Sequence, residues 1–240
     1  MIIKFIKDIK FITIIIFISS LLVFLWPLSH PGVIAGHDAG YHFTRIQLFA
    51  NALKAGQFPV RWLEGPNLGI THPLFQFYPP LFYYPAGFLV LSGVPYVTAA
   101  YIVLALSAAL AWMGMYLLVL SLTHRSHVAA AFAATLFLFT PYRISQLYVR
   151  AAYGEFLATA FLPWAFLGIY NLYNDYNRYN FYKNYILLAF SLAAILTSHQ
   201  PTLIMLMVPL AAWTIFLWIK TQNTKALLAT IVGGILAASV

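Results

Sequence analysis

Residues 97–122 read VTAAYIVLALSAALAWMGMYLLVLSL, 26 positions without one Asp, Glu, Lys or Arg. A helix needs about 20 largely apolar residues to cross the hydrocarbon core of a bilayer. Six further apolar runs occur along the chain, at residues 11–28, 128–140, 156–173, 185–198, 202–219 and 226–240. We therefore predict an all-α polytopic membrane protein with about seven transmembrane helices, of which the third and fifth extend into their polar flanks.

The overall composition agrees with a membrane protein and excludes several soluble classes. Of the 240 residues, 62% are hydrophobic and 8% are charged, against about 45–50% and about 25% in soluble domains. The absence of cysteine excludes a disulfide framework and zinc sites built on Cys. The net charge of +8 comes from cations scattered between the apolar runs, so we expect no nucleic-acid partner.

Residues 81–91 are apolar but only about half a span long, and their placement sets the orientation of every later helix. If this segment crossed the membrane, the Lys and Arg residues beyond position 177 would lie outside. If it lies in the interface, they lie inside. Because Lys and Arg concentrate in cytoplasmic loops, we predict the interfacial placement and a cytoplasmic N-terminus.

This topology predicts two exterior loops, a long one at 29–96 with interfacial helices and a second at 141–155. The predicted spans contain no charged residue, which disfavours a proton-coupled carrier, because such carriers place ionisable groups inside the membrane. Residues 1–240 are expected to form one membrane domain. Because the sequence stops inside an apolar run, we expect this domain to be the N-terminal part of a longer chain.

The first exterior loop contains a predicted helix that begins at Asp38, in the segment GHDAGYHFTR (36–45). At about 100° per residue, an apolar face forms that can lie on the membrane surface. Asp38, His42 and Arg45 share another face and can point at a reacting group. Asp38 has a second interpretation, since Asp is common as an N-cap residue and can pair with His42 or Arg45.

The remaining polar candidates lie further along the two loops. Arg61 precedes an aromatic run, FQFYPPLFYY (75–84), in which Tyr78 can anchor the chain in the headgroup layer or hold a ligand. Arg150 and Glu155 stand in the second loop, where Glu155 can serve chemistry or simply favour a helix start. His199 follows a predicted span and has the same two interpretations, a capping residue or part of the site.

The order of these motifs resembles the GT-C superfamily of membrane glycosyltransferases. More narrowly, the chain resembles bacterial and archaeal membrane proteins labelled six-pyruvoyl-tetrahydropterin-synthase-related. The residues that carry the resemblance are His37-Asp38 to His42, Pro59-Val60-Arg61-Trp62, Pro73-Leu74-Phe75 to Pro79-Pro80-Leu81, Arg150 to Glu155, and Ser198-His199. The resemblance covers residues from about 10 to 210 and implies a place in the cytoplasmic membrane of a bacterium or archaeon.

The resemblance implies transfer of a sugar from a polyprenyl-phosphate carrier to an acceptor on the exterior face. Asp38 would be the base, and Glu155 would assist acceptor or divalent-metal binding. The cations Arg45, Arg61, Arg150 and His199 are available to bind the phosphate, with His42 and Tyr78 as further ligand-binding candidates. Pterin chemistry is not expected, because the histidines are spread over loops on both sides of the membrane, and no nucleotide is expected. The superfamily often has two adjacent acidic residues in the first loop, whereas Asp38 is followed by Ala39.

Two other functions stay open at the sequence level. One is a carrier for lipid-linked sugars, against which the charge-free spans count. The other is a non-catalytic membrane subunit or scaffold. Catalysis predicts that Asp38, Glu155 and at least one exterior arginine converge in the folded chain, whereas a scaffold does not require this.

Overall fold

The computed structural model describes residues 2–30, 32–67, 70–123, 125–174 and 178–238. The helices within these ranges are α1 Ile2–Leu25, α2 Ala39–Lys54, α3 Leu74–Phe77, α4 Tyr83–Leu91, α5 Tyr96–Leu122, α6 His127–Leu138, α7 Pro141–Ile144, α8 Tyr153–Ala160, α9 Leu162–Asn174, α10 Arg178–Ser198, α11 Gln200–Thr221 and α12 Thr224–Ala238. Strands β1 Leu63–Asn67 and β2 Ile70–His72 form an antiparallel hairpin. A 3₁₀ turn, Trp26–Ser29, follows α1, and a π-helical turn, Ser145–Val149, follows α7.

Five helical segments are long and apolar enough to cross a membrane: Phe11–Ser29, Tyr96–Leu122, Tyr153–Asn174, Asn180–Ser198 and Gln200–Thr221. A sixth span results if the pair His127–Leu138 and Pro141–Val149, bent by 43°, is counted as one. The predicted seventh span, 226–240, corresponds to α12, which has 15 residues and is shorter than a usual span. Residues 239 and 240 lie outside the described part of the chain. The chain is therefore a helical, multi-pass membrane protein, and its described part holds five helical segments, or six with the bent pair, that are long and apolar enough to span.

Helix α4 covers most of the ambiguous segment 81–91. Its 9 residues rise about 14 Å, less than half of the roughly 30 Å hydrocarbon core. Helix α4 packs against α2 and α5. The helix is too short to cross the membrane by itself, as the predicted topology requires.

The hairpin β1–β2 is an element that the sequence analysis did not predict. Gly65, within β1, has a φ of +84°, a backbone conformation that glycine adopts without strain, and the strand pairing is irregular between Leu63 and Asn67. Glycine and Asn between two short apolar stretches are typical of a hairpin turn. That signal is present in the sequence, but the neighbouring aromatic and proline residues conceal it.

The predicted second exterior loop, 141–155, is largely helical. Pro141 stands at the start of α7, where proline lacks only an N–H that would be unpaired anyway. The helical path continues to Val149 and leaves a short turn before Tyr153. Arg143, predicted to be exterior, is 1% exposed: its Nη1 donates to Thr159 Oγ1 at 2.7 Å, and its Cζ lies 4.2 Å from the centre of the Phe156 ring. The aromatic face and the hydroxyl offset part of the cost of burying this cation.

Helix α5 is the centre of the bundle and packs against α4, α6, α8 and α9. Small buried residues line its contacts, including Ala99, Ala100, Ala108 and Ala111, because small side chains let membrane helices approach closely. Near one end of the bundle, the N–H of Leu81 donates to the carbonyl of Thr197 at 2.9 Å. This bond ties the segment before α4 to the end of α10, next to the polar residues described below.

Candidate functional site

Asp38 occupies the N-cap position of α2, and its backbone carbonyl accepts the first helical bond, from the N–H of His42 at 3.1 Å. The helix start agrees with the sequence prediction. The carboxylate, however, makes no capping bond. In the described part of the chain it has no hydrogen bond or ion pair, and the residue is exposed. The interpretation of Asp38 as a cap that pairs with His42 or Arg45 is therefore wrong for this structure.

The segment around Asp38 is fixed by the turn that follows Val149. The N–H of His37 donates to the carbonyl of Val149 at 3.0 Å, and the N–H of Asp38 donates to the carbonyl of Arg150 at 3.1 Å. Gly36 makes this approach possible, because a Cβ at that position would lie 2.7 Å from the Cβ of Ala151. Two stretches more than a hundred residues apart are thus joined, and Asp38 is placed beside Arg150.

Arg150 forms an ion pair with Glu155, with 2.9 Å between Nη2 and Oε2. The Glu155 side chain is only 7% exposed, whereas that of Arg150 is 44% exposed. The hydroxyl of Tyr142 also donates to Glu155. Glu155 lies in the first turn of α8, where the helix dipole favours a negative charge. Glu155 is therefore well placed to hold Arg150 in position, while the guanidinium of Arg150 still reaches solvent.

His199 stands between α10 and α11, near the Glu155–Arg150 pair. A Cβ on Gly154 would lie 2.7 Å from the carbonyl of Ser198, so α8 and this turn are in close contact. The Nδ1 of His199 lies 2.8 Å from Thr202 Oγ1. Burial lowers the pKa of His199, and the nearby carboxylate of Glu155 opposes this shift. At neutral pH His199 is then a neutral hydrogen-bonding group rather than the cation that the sequence analysis expected.

His42 faces the protein core. It is 2% exposed, its Nδ1 lies 2.7 Å from the hydroxyl of Tyr83, and its ring stacks on Tyr153 with 4.8 Å between the ring centroids. Burial lowers the pKa of His42 to about 3, so the ring is neutral. The prediction that His42 faces a ligand is therefore wrong, because this part of α2 packs on α4 and α5. His42 instead positions Tyr83, whose hydroxyl also lies beside Arg45 and Tyr78.

An open groove of about 560 Å³ lies along the exposed side of α2. Arg45 stands over the ring of Tyr78, with 4.9 Å from Cζ to the ring centre, and 5.8 Å from the ring of Tyr41. Two histidines that the sequence analysis did not select, His37 and His72, also face this groove. The groove is lined by His37, Gly40, Tyr41, Thr44, Arg45, Leu48, Leu63, His72 and Leu74. His37 could have been found as the neighbour of Asp38, whereas His72 depends on the hairpin.

Arg61 is not brought to the other candidates. It is exposed, its backbone N–H donates to Gln57 Oε1 at 2.5 Å, and its carbonyl accepts from the N–H of Phe75 at 3.1 Å. Among the described contacts, none joins its side chain to Asp38, Arg45 or Arg150. The backbone of Arg61 thus holds the hairpin in place.

The described residues do not fit a divalent metal held by the protein. Within residues 2–30, 32–67, 70–123, 125–174 and 178–238, no group of three or more His, Asp or Glu side chains lies close enough to hold an ion. Glu155 is already engaged by Arg150 and Tyr142. The chemistry below therefore uses no metal.

No protein-family model matches this chain, and no curated protein or solved structure is similar to it.

Proposed function

We propose that this chain is the membrane-embedded part of a glycosyltransferase that moves a sugar from a polyprenyl-phosphate carrier to an acceptor outside the membrane. The observation that carries the proposal is the pair of backbone bonds that join His37 and Asp38 to Val149 and Arg150. They bring the backbones of Asp38 and Arg150 together, and each of the two residues has an exposed side chain. Base and phosphate-binding group are the two functions that this reaction needs.

The acceptor hydroxyl attacks the anomeric carbon of the sugar, and Asp38 accepts the proton that this hydroxyl loses. A general base must lie within hydrogen-bond reach of that proton, about 2.6–3.2 Å between heavy atoms. The carboxylate of Asp38 is exposed and unpaired in the described chain, so it is available for this role. The new bond joins the acceptor oxygen to the anomeric carbon as the bond to the carrier phosphate breaks.

The leaving phosphate gains negative charge as that bond breaks, and a fixed cation stabilises it. Arg150 suits this role because Glu155 holds one side of its guanidinium while the other side stays exposed. Arginine offers a planar set of donors that matches phosphate oxygens. Neutral His199 can add a hydrogen bond.

The site lies where a lipid-linked donor can reach it. Glu155 and His199 stand at the ends of the apolar segments Tyr153–Asn174, Asn180–Ser198 and Gln200–Thr221. If those segments cross the membrane, their ends lie near the headgroups, where the phosphate of a polyprenyl carrier also lies. A soluble sugar donor would not need such a place.

The experiment is a comparison of cells with and without the gene. Cells that lack it should lose one glycan or glycolipid of the cell envelope and accumulate a polyprenyl-phosphate-linked sugar, both measured by mass spectrometry of lipid extracts and released glycans. If the protein were instead a carrier for lipid-linked sugars, the lipid-linked sugar would accumulate on the cytoplasmic side only. An oxidant of sugars that does not cross the membrane would leave that cytoplasmic pool intact and so distinguishes the two functions. Unchanged glycans and lipid-linked sugars would contradict the proposal.

A further inference from the structure

The groove beside α2 is built entirely from elements outside the full-length spans. Its walls come from α2, from both strands of the hairpin and from the first residue of α3. None of the five full-length apolar segments contributes a lining residue. The groove therefore belongs to the predicted first exterior loop, 29–96, and not to the full-length spans.

Arg45 gives the groove a fixed positive charge. Its guanidinium lies against the rings of Tyr78 and Tyr41 and beside the hydroxyl of Tyr83. These contacts restrict the side chain without neutralising it, because aromatic faces attract a cation and leave its charge unpaired. The nine lining residues include no Asp or Glu, and no described salt bridge engages Arg45.

The other lining groups suit a polar ligand that carries an oxyanion. His37, His72 and Thr44 bring ring nitrogens and a hydroxyl to the same groove. Tyr41 is 65% exposed and offers an aromatic face. Such a face can pack against the C–H side of a sugar ring. An open groove of about 560 Å³ has the size of a small-molecule site.

We infer that this groove is the acceptor subsite and that the acceptor is an anionic sugar, whose carboxylate or phosphate binds Arg45. The inference rests on the proposed function, since it assigns the groove to the acceptor of that reaction. His37 and Tyr41, which flank Asp38 along the chain, both line the groove. Asp38 does not line the groove itself but directly follows His37 in the chain, so a sugar bound in the groove is held close to the base. Arg150 is left for the phosphate of the donor.

The test measures the binding of three probes to the full chain in detergent. Ligand-observed NMR at low salt gives the affinity of each probe. Glucuronate and glucose differ only in a carboxylate against a hydroxymethyl group, and farnesyl phosphate represents the donor phosphate. We expect glucuronate to bind at least tenfold more tightly than glucose, and Arg45→Gln to remove this difference. Lys54→Gln removes an exposed charge at the end of the same helix. This variant should keep the difference in affinity between glucuronate and glucose.

A second pair of variants avoids the contacts of Arg45 with the core. Thr44→Glu adds a carboxylate inside the groove, whereas Gln47→Glu adds the same charge to the same exposed helix outside it. Thr44→Glu should weaken glucuronate binding at least tenfold, and Gln47→Glu should leave it within twofold of wild type. Equal effects of the two variants would overturn the inference.

The outcomes separate this inference from the proposed function. Equal binding of glucose and glucuronate would overturn the acceptor subsite even where sugar transfer is observed. Binding of farnesyl phosphate that depends on Arg45, without binding of glucuronate, would assign the groove to the donor and also overturn it. Asp38 is not one of the lining residues, so a loss of transfer in Asp38→Asn tests the base and leaves the groove assignment intact.

Discussion

Two residues one helical turn apart, Asp38 and His42, lie in opposite environments. The carboxylate of Asp38 is exposed and free in the described chain, whereas His42 is 2% exposed and hydrogen-bonded to Tyr83. The difference follows from their positions along α2, because Asp38 is the N-cap before the first helical residue, whereas His42 lies one turn inside the helix and packs on Tyr83 and Tyr153. A free carboxylate can do chemistry, and a buried neutral imidazole can only hold its neighbours in place.

The burial of His42 predicts a pH-dependent stability. Its pKa falls from 6.5 in the unfolded chain to about 3 in the folded protein. Between these values the unfolded state binds a proton that the folded state does not, so stability rises with pH and is lost as pH falls. Between pH 7 and pH 5 the protonation of His42 should lower the free energy of unfolding by about 2 kcal/mol. The loss is about 1.4 kcal/mol for each pH unit below the pKa of the unfolded chain. Thermal unfolding in detergent at both pH values measures it.

The matched variant for this prediction is His42→Gln, which keeps a polar side chain but cannot titrate. Its loss of stability between pH 7 and pH 5 should be smaller than that of wild type by about 2 kcal/mol. The absolute stability of the variant does not enter this comparison. Identical pH dependence in the two proteins would show that His42 is not the titrating group.

The sequence predicted the start of α2 at Asp38 but not the environment of either residue. A glycine-flanked Asp before an amphipathic run is a local signal, readable along the chain. The burial of His42 depends on Tyr83 and Tyr153, which lie 41 and 111 positions further along the sequence. The same holds for Arg143, whose partners Phe156 and Thr159 lie on the next helix. These contacts depend on tertiary packing, which the hydrophobic periodicity of the sequence does not predict.

At the scale of elements, the contact between the loop before α2 and the turn after Val149 builds the site. Gly36 has no room for a side chain, since an added Cβ would lie 2.7 Å from that of Ala151 and 3.1 Å from its backbone nitrogen. Gly36→Ala should therefore destabilise the protein by about 1–3 kcal/mol, the usual cost of overpacking. It should also reduce sugar transfer, because Asp38 and Arg150 separate. Thermal unfolding and transfer activity measure the two effects.

Gly40→Ala is the control for stability, because a Cβ there meets nothing within 4 Å and lies in a helix. Alanine is the better helix former, so this variant should be as stable as wild type or slightly more stable. If Gly36→Ala unfolds at the same temperature as Gly40→Ala, the close approach of the two segments is not what holds them together.

Among the elements, the apolar spans were the easiest to predict from the sequence. The bent pair of helices, His127–Leu138 and Pro141–Val149, was the hardest. Hydropathy identifies α5 and α11 directly, because a membrane helix must be apolar over its length. Thr140-Pro141-Tyr142-Arg143 looks like the end of a span, since proline and a charge usually stand there. The structure restarts a helix at Pro141, and the buried partners of Arg143 remove the reason to place it outside.

At the scale of the whole molecule, four segments meet in two pairs at one end of the bundle. The loop before α2 binds the turn after Val149, and Leu81 binds Thr197. The close approach of Gly154 to the carbonyl of Ser198 joins the two pairs, so all four segments lie at the same end of the bundle. A topology in which α4 crossed would put the loop before α2 and the end of α10 on different sides.

The topology can be tested with single cysteines, because the chain has none of its own. Phe58 and Phe77, which are 75% and 79% exposed, stand near the site. Ser126 and Gln222 stand in turns that the topology places in the cytoplasm. In intact cells a membrane-impermeant maleimide should label Phe58→Cys and Phe77→Cys, and should label Ser126→Cys and Gln222→Cys only after the cells are opened. Labelling of Ser126→Cys in intact cells would reverse the orientation.

The most direct test of the central claim is complementation of cells lacking the gene with wild type and with Asp38→Asn. The substitution removes the base and keeps the side-chain shape, and the Asp38 side chain makes no capping bond that would be lost. Membrane levels and unfolding temperature of the two proteins should be equal. Wild type should restore the missing glycan, and Asp38→Asn should restore less than about a hundredth of it, the lower end of what a general base contributes. Full restoration by Asp38→Asn at equal protein level would contradict the assignment of Asp38 as the base.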